Sequence, residues 1–246
     1  MEKRWIVLQG RPLFYRCIVG QSRQDRLPVV FVHGLGVSSR YFQPVMRCLA
    51  DTYDVYAPDL PGHGHSPATC RTRSIESLAQ ALLEWLAAMK LGPVVLAGQS
   101  LGCQVVVEAA LRQPACVDRL VLIAPTLDPA GRSLPRQVLR FVVDIPFERV
   151  ALVPRVAWDY LRMGWRFVPE LQAMFAYATE DKLPRLNQPL LLMRGEFDPV
   201  APRRWLDEAA RRHGAAQVKE IAGWGHAVQF SAPGRVAEAM RPFLVF

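Results

Sequence analysis

One serine stands where its hydroxyl could become a nucleophile. The segment 94–102 runs from a short apolar, β-branched stretch through Gly98-Gln99-Ser100-Leu101-Gly102 into a helical pattern. A sharp turn of the G-x-S-x-G type between strand and helix lifts the serine oxygen above a sheet, and small residues on either side prevent clashes. A glycine-rich turn with a capping serine would have the same spacing. We expect Ser100 to be the nucleophile.

A serine hydroxyl needs a base, and that base needs a carboxylate to orient it. His226 lies in a glycine-rich loop after a strand-like segment, and Asp198 lies just past another strand-like segment. Proteins that carry a nucleophilic serine in such a turn have their catalytic residues in the chain order Ser, Asp, His, and Ser100, Asp198 and His226 follow that order. Asp128 also follows a strand-like segment, so it stays open as the alternative acid.

Two backbone N–H groups should stabilise an oxyanion formed at this serine. The residue after the nucleophile supplies one of them, which is Leu101 here. Glycines in the segment 33–36 let the backbone approach a ligand, and there we expect the second donor to be the N–H of Leu35. His33 is then a structural residue.

Strand-like and helix-like segments alternate along most of the chain, which predicts an α/β fold with a mainly parallel sheet. Two early segments flank Gly10-Arg11-Pro12 and predict an antiparallel hairpin at one edge. The strand-like segments are 5–9, 13–19, 28–32, 54–57, 93–97, 119–123, 189–193 and 217–222, and the clearest helical ones are 38–49, 75–86 and 101–112.

The alternation stops between residues 126 and 186. Helical apolar spacing continues there, but it is interrupted by prolines at positions 135, 146, 154, 169 and 184, and each proline ends or kinks a helix. We predict three or four short helices that form a cap over a core made of residues 1–125 and 187–246.

Composition excludes several classes of protein. The 246 residues are 51% hydrophobic and carry a net charge of +8, but only four of the 30 basic residues are lysines and the arginines are scattered. We therefore expect a solvated basic surface and no nucleic-acid partner. No apolar run is long enough to span a membrane. The start of the chain does not resemble a signal peptide, and the five cysteines form no disulfide or zinc pattern, so we expect a cytoplasmic protein with reduced thiols.

Together these motifs resemble the α/β-hydrolase superfamily over nearly the whole chain. The resemblance implies an eight-stranded, mostly parallel sheet with helices on both faces, a Ser100–His226–Asp198 triad, and neither cofactor nor metal. It also implies a structural role for Asp59. The matching segments are His33-Gly34-Leu35-Gly36, Asp59-Leu60-Pro61-Gly62-His63-Gly64-His65-Ser66, the turn at Ser100, Gly195-Glu196-Phe197-Asp198 and Gly225-His226.

Several activities remain open within this resemblance. We favour a serine hydrolase that cleaves a carboxylic ester, thioester or lactone of a small to medium apolar molecule. A carbon–carbon bond hydrolase of a vinylogous diketone is an alternative because Gln229 and Phe230 resemble the segment after the histidine in such enzymes, although Ser231 replaces their usual acidic residue. A slow or non-catalytic ligand receptor and a lipase that works at an interface are further alternatives.

The predicted cap should set specificity. It is rich in aromatic residues, most of which we expect to pack between its helices. As tentative substrate contacts we name Trp158 and Trp165 in the cap and Trp224 beside the base. The partner is a small-molecule substrate, and the protein is expected to be a monomer or homodimer.

Overall fold

A computed structural model describes residues 1–20, 26–68 and 74–245 of the chain. Its centre is an eight-stranded sheet in the order β1-β2-β4-β3-β5-β6-β7-β8. The first two strands pair antiparallel, β2 also runs antiparallel to β4, and the remaining pairs are parallel. The strands are β1 (Glu2–Leu8), β2 (Arg11–Ile18), β3 (Val29–Val32), β4 (Val55–Pro58), β5 (Val94–Gln99), β6 (Val117–Ile123), β7 (Leu190–Gly195) and β8 (Gln217–Ile221).

Burial of the strands follows their position in the sheet. Every residue of β3, β4, β5 and β7 is buried, as expected where helices cover both faces of a parallel sheet. The edge strands β1 and β8 are mostly exposed. The predicted fold is therefore confirmed, including the hairpin at one edge.

The helices lie on both faces of the sheet and in one long insertion. The predicted helix at 38–49 begins as a 3-10 turn over Ser39–Phe42, and the α-helix follows with Pro44 in its first turn. The α-helices are α1 (Gln43–Leu49), α2 (Ile75–Ala88), α3 (Leu101–Arg112), α4 (Leu134–Asp144), α5 (Val153–Met163), α6 (Phe167–Ala176), α7 (Thr179–Lys182), α8 (Arg203–His213), α9 (Val228–Ser231) and α10 (Pro233–Leu244).

Residues 126–186, which we call the helical insertion, lie between β6 and β7 and contain no strand; all of them are described. Several polar contacts join the insertion to the segments that follow β3 and β4. Asp159 pairs with Arg40 at 3.0 Å, and Glu170 lies 3.0 Å from the Nε2 atom of buried His63. The hydroxyl of Tyr160 donates to the carbonyl oxygen of Leu35 at 3.2 Å.

Asp59 organises the turn after β4. Its carboxylate is fully buried and accepts hydrogen bonds from the backbone N–H groups of Ser39 at 2.8 Å and His65 at 2.9 Å. Unpaired buried N–H groups are costly, so this carboxylate stabilises two loops at once.

Two further features concern the helices and the cysteines of the described residues. No helix in the described part of the chain is long and apolar enough to cross a bilayer. Cys17, Cys48, Cys103 and Cys116 are free thiols, and Cys70 lies outside the described residues.

Candidate active site

Ser100 occupies a strained turn between β5 and α3. Its backbone has φ 57° and ψ −123°, in the region of positive φ that non-glycine residues rarely adopt. The backbones approach closely at this turn. A Cβ atom at Gly102 would overlap the carbonyl oxygen of Val32, and a Cβ atom at Gly98 would overlap the backbone of Gly102. Only glycines at these two positions let α3 start this close to the sheet.

Two backbone segments adjoin Ser100: the start of α3 and the loop after β3. Leu101 is the first residue of α3, so its N–H has no acceptor within the helix. The loop after β3 passes beside the serine, since a Cβ atom at Gly34 would lie 3.0 Å from Ser100 Cβ. Leu35 follows in that loop, where the Tyr160 hydroxyl binds its carbonyl oxygen. The two residues predicted as oxyanion donors therefore both belong to segments that adjoin the serine.

His226 and Asp198 form a buried pair. The Nδ1 atom of His226 lies 3.0 Å from Oδ2 of Asp198, and the other carboxylate oxygen accepts the N–H groups of Val200 and Ala201 at 2.8 and 2.9 Å. Burial opposes ionisation of Asp198, but the attraction and hydrogen bond of His226 outweigh it and lower the pKa of this carboxyl. The geometry holds the imidazole in one orientation.

Asp128, the alternative acid, has other partners. Its carboxylate pairs with Arg140 at 2.8 Å and with Arg204 at 2.9 Å. Of the two aspartates, Asp198 is the one that contacts His226.

Two carboxylates from the helical insertion also bind the His226 loop, and the sequence analysis missed both. Asp144, the last residue of α4, accepts the backbone N–H of His226 at 2.8 Å. Glu148 accepts the N–H of Ala227 and the hydroxyl of Ser231, both at 2.5 Å. The one available signal was Ser231, which replaces an acidic residue within the loop and leaves its N–H groups to an acceptor from elsewhere.

These carboxylates set the electrostatics of the imidazole. Burial alone would lower the pKa of His226, but the charge and hydrogen bond of Asp198, together with the charges of Asp144 and Glu148, raise it to about 9. Burial, with repulsion from Glu148 and Asp198, raises the pKa of Asp144 to about 7. The Nε2 atom of His226 is buried and has no hydrogen-bond partner among the described residues, so it is available to a neighbouring hydroxyl.

The three tryptophans named as substrate contacts differ in position. Trp158 and Trp165 are 57% and 86% exposed, more than side chains enclosed by a pocket would be. Trp224 is half-buried, and the guanidinium of Arg149 lies over its ring. The aromatic residue that does contact the base is Phe141 of α4, whose ring meets the His226 imidazole edge-on at 5.4 Å.

The histidines outside this loop have structural partners. His33 accepts the N–H of Leu60 at 2.9 Å, and burial lowers its pKa to about 3. His65 stacks on Phe14. Within the described ranges, no group of three or more His, Cys, Asp or Glu side chains is arranged to hold a metal ion.

Removal of the Asp144 charge should lower the pKa of His226. At the pH where His226 titrates, Asp144 is ionised and favours the imidazolium. In Asp144→Asn the pKa of His226, measured by NMR titration of the ring, should fall from about 9 toward the ordinary value of about 6.5.

Asp159→Asn is the control for that titration, because Asp159 pairs with Arg40 and Tyr41 in the same insertion. Its His226 pKa should equal that of the wild type. An Asp144→Asn protein that is folded and has an unchanged His226 pKa would contradict the arrangement of charges described above.

Comparison with known proteins agrees with this fold. Residues 29–239 match the model of the alpha/beta hydrolase family. The chain is 24% identical over 238 residues to the (E)-2-((N-methylformamido)methylene)succinate hydrolase of Acinetobacter baylyi, covering 88% of this chain and 90% of that one. It is also 24% identical over 248 residues to the esterase YbfF of Escherichia coli, covering 93% and 97%.

Among solved structures, a thermophilic esterase from Thermogutta terrifontis superimposes with a TM-score of 0.80 at 22% identity, covering 99% of this chain and 98% of that one. At 22% identity, this structural similarity shows the fold alone. The family model matches most of the sequence and shows the family. The chain belongs to the alpha/beta hydrolase family.

Proposed function

We propose that the protein is a serine hydrolase that cleaves a carboxylic ester, or a related thioester or lactone, through an acyl-enzyme. The observation that carries this proposal is the buried His226–Asp198 pair next to the turn that holds Ser100 at positive φ, where the side chain of Gln99 donates to the carbonyl oxygen of His226 at 3.4 Å. Strained turns of this kind expose a serine oxygen at the carboxyl edge of a sheet. The catalytic residues are Ser100, His226 and Asp198.

In the first half of the reaction, Ser100 Oγ attacks the carbonyl carbon while His226 Nε2 takes the hydroxyl proton. The carbonyl oxygen becomes an oxyanion that accepts the N–H groups of Leu35 and Leu101. Loss of one such donor typically lowers kcat by about 100-fold or more. As the tetrahedral intermediate collapses, His226 gives its proton to the leaving alcohol and an ester bond to Ser100 remains.

In the second half, water replaces the alcohol. His226 takes a proton from the water, the hydroxide attacks the acyl carbon, and the returned proton restores Ser100 as the acid leaves. Asp198 keeps its negative charge throughout and stabilises the imidazolium that forms in each half.

The surroundings of His226 favour a neutral, apolar substrate. Phe141 contacts the imidazole, and Asp144 and Glu148 bring two further carboxylates to its loop. An anionic substrate would meet repulsion from these groups. The helical insertion thus acts as a cap that supplies both an apolar wall and the anchoring of the base.

A substrate panel separates this proposal from carbon–carbon bond hydrolysis. We expect wild-type protein at pH 9 to hydrolyse p-nitrophenyl acetate or butyrate, and Ser100→Ala to lose at least about 1,000-fold in kcat, as in other enzymes of this type. Turnover of a vinylogous diketone without ester turnover would favour the alternative activity. No turnover of any ester, lactone or diketone would favour a ligand receptor.

The two candidate acids give a matched pair of variants. Asp198→Asn removes the charge that stabilises the imidazolium, which lowers kcat by about 10⁴ in a serine protease, and here we expect a loss of at least about 100-fold. Asp128→Asn should stay within several-fold, because Asp128 pairs with arginines. Both proteins should remain folded by circular dichroism, and the reverse ranking would assign the acid to Asp128.

A further inference from the structure

Helix α4 packs against the protein with its polar residues. Gln137 is buried and donates to the carbonyl oxygen of Gly131 at 2.9 Å. Arg140 pairs with buried Asp128, and Asp144 accepts the His226 N–H. These residues recur at three- and four-residue intervals, so they form one stripe of the helix. The apolar side chains of α4 are consequently left exposed to solvent, and among them Phe141 also contacts the His226 imidazole.

The same is true of much of the insertion. Thirteen of the eighteen large apolar side chains that are exposed in the described part of the chain lie between residues 134 and 168. We call the solvent-exposed surface that these thirteen side chains form the outer face. Val150, Leu161 and Trp165 are 88%, 76% and 86% exposed. Apolar surface of this extent usually marks an interaction site, and such high exposure belongs to protruding side chains rather than to the walls of a groove.

The charges around the outer face have one sign. Five arginines of this region are exposed, at positions 136, 149, 155, 162 and 166. None of the four carboxylates between residues 129 and 179 is exposed: Asp144 and Glu170 are buried, Glu148 binds the His226 loop, and Asp159 pairs with Arg40. The outer face is therefore apolar and cationic.

We propose that the outer face docks on the surface of an anionic lipid bilayer. Protruding apolar and tryptophan side chains with arginines around them are typical of segments that lie in the membrane interface, where tryptophan is enriched. A second copy of the chain fits less well, because two faces of the same positive charge would repel each other. Trp158 and Trp165 thereby act as interfacial anchors and not as walls of the substrate pocket.

Docking in this way places the candidate active site next to the lipid. Helix α4 contributes Leu139 and Val142 to the outer face, while Phe141 and Asp144 of the same helix contact the His226 loop. An apolar substrate dissolved in the bilayer would reach the site from this side. The docking itself does not rest on the proposed hydrolysis.

Vesicle flotation with the full chain tests the proposal. Wild-type protein and Ser100→Ala should both float with phosphatidylcholine vesicles that contain phosphatidylglycerol, at least about 10-fold more tightly than with phosphatidylcholine alone, since arginines near the surface each favour anionic lipid. Use of Ser100→Ala separates docking from catalysis, so failure of the hydrolysis proposal would leave this result intact.

Two pairs of double variants separate insertion from general basicity. Val150→Ser/Leu161→Ser should lose binding by about 10-fold or more, whereas Val7→Ser/Val245→Ser, exposed elsewhere, should bind normally. Arg155→Gln/Arg162→Gln should lose the preference for phosphatidylglycerol, whereas Arg11→Gln/Arg211→Gln removes the same charge from other exposed positions and should retain it. Thermal unfolding checks that all four proteins are folded.

Three results would overturn the proposal. The first is that the wild-type protein floats with neither vesicle, and the second is that both members of a pair lose binding equally. The third is a concentration-dependent dimer, abolished by Val150→Ser/Leu161→Ser, in a protein that does not float. The last result would assign the outer face to a second copy of the chain.

Discussion

The His226 loop is fixed from two directions, and the rest of the site depends on this constraint. Asp198, after β7, holds the imidazole through Nδ1, and Asp144, at the end of α4, holds the backbone of the same residue. The first contact comes from the sheet and the second from the helical insertion. The position of the His226 side chain is thus coupled to the position of the helical insertion. A movement of α4 would therefore change the geometry at the imidazole.

This coupling explains why polar residues of α4 face inward. A helix that supplied only apolar packing could cover the site, but it could not accept the N–H of His226. Buried Gln137 and Asp144 make hydrogen bonds with the protein, and half-buried Arg140 pairs with Asp128, which leaves the apolar side of the helix exposed. An unpaired buried N–H in the His226 loop would be costly. Asp144 and Glu148 accept such N–H groups and thereby stabilise the loop, in which residue 231 is a serine and not an acidic residue.

Most elements of the sheet core could be predicted from local residue patterns. Continuous β-branched runs predict strands buried on both faces, and Gly98 and Gly102 predict the close approach of α3 to the sheet. The contact of His226 with Asp198 could also be predicted, because parallel strands bring their carboxyl ends to one edge of the sheet. The contacts of Asp144 and Glu148 could not, since they join segments about 80 residues apart and neither residue belongs to a motif. Aromatic content likewise could not distinguish Phe141, beside the base, from Trp165, on the surface.

The central claim is that Ser100 is an activated nucleophile, and covalent labelling tests it most directly. A fluorophosphonate reacts quickly with a serine whose hydroxyl is activated beside oxyanion donors. Peptide mass spectrometry of the labelled wild-type protein should place the phosphonyl group on Ser100, and Ser100→Ala should remain unlabelled under the same conditions. A label on another residue with Ser100 unmodified, or no label on folded wild-type protein, would contradict the claim.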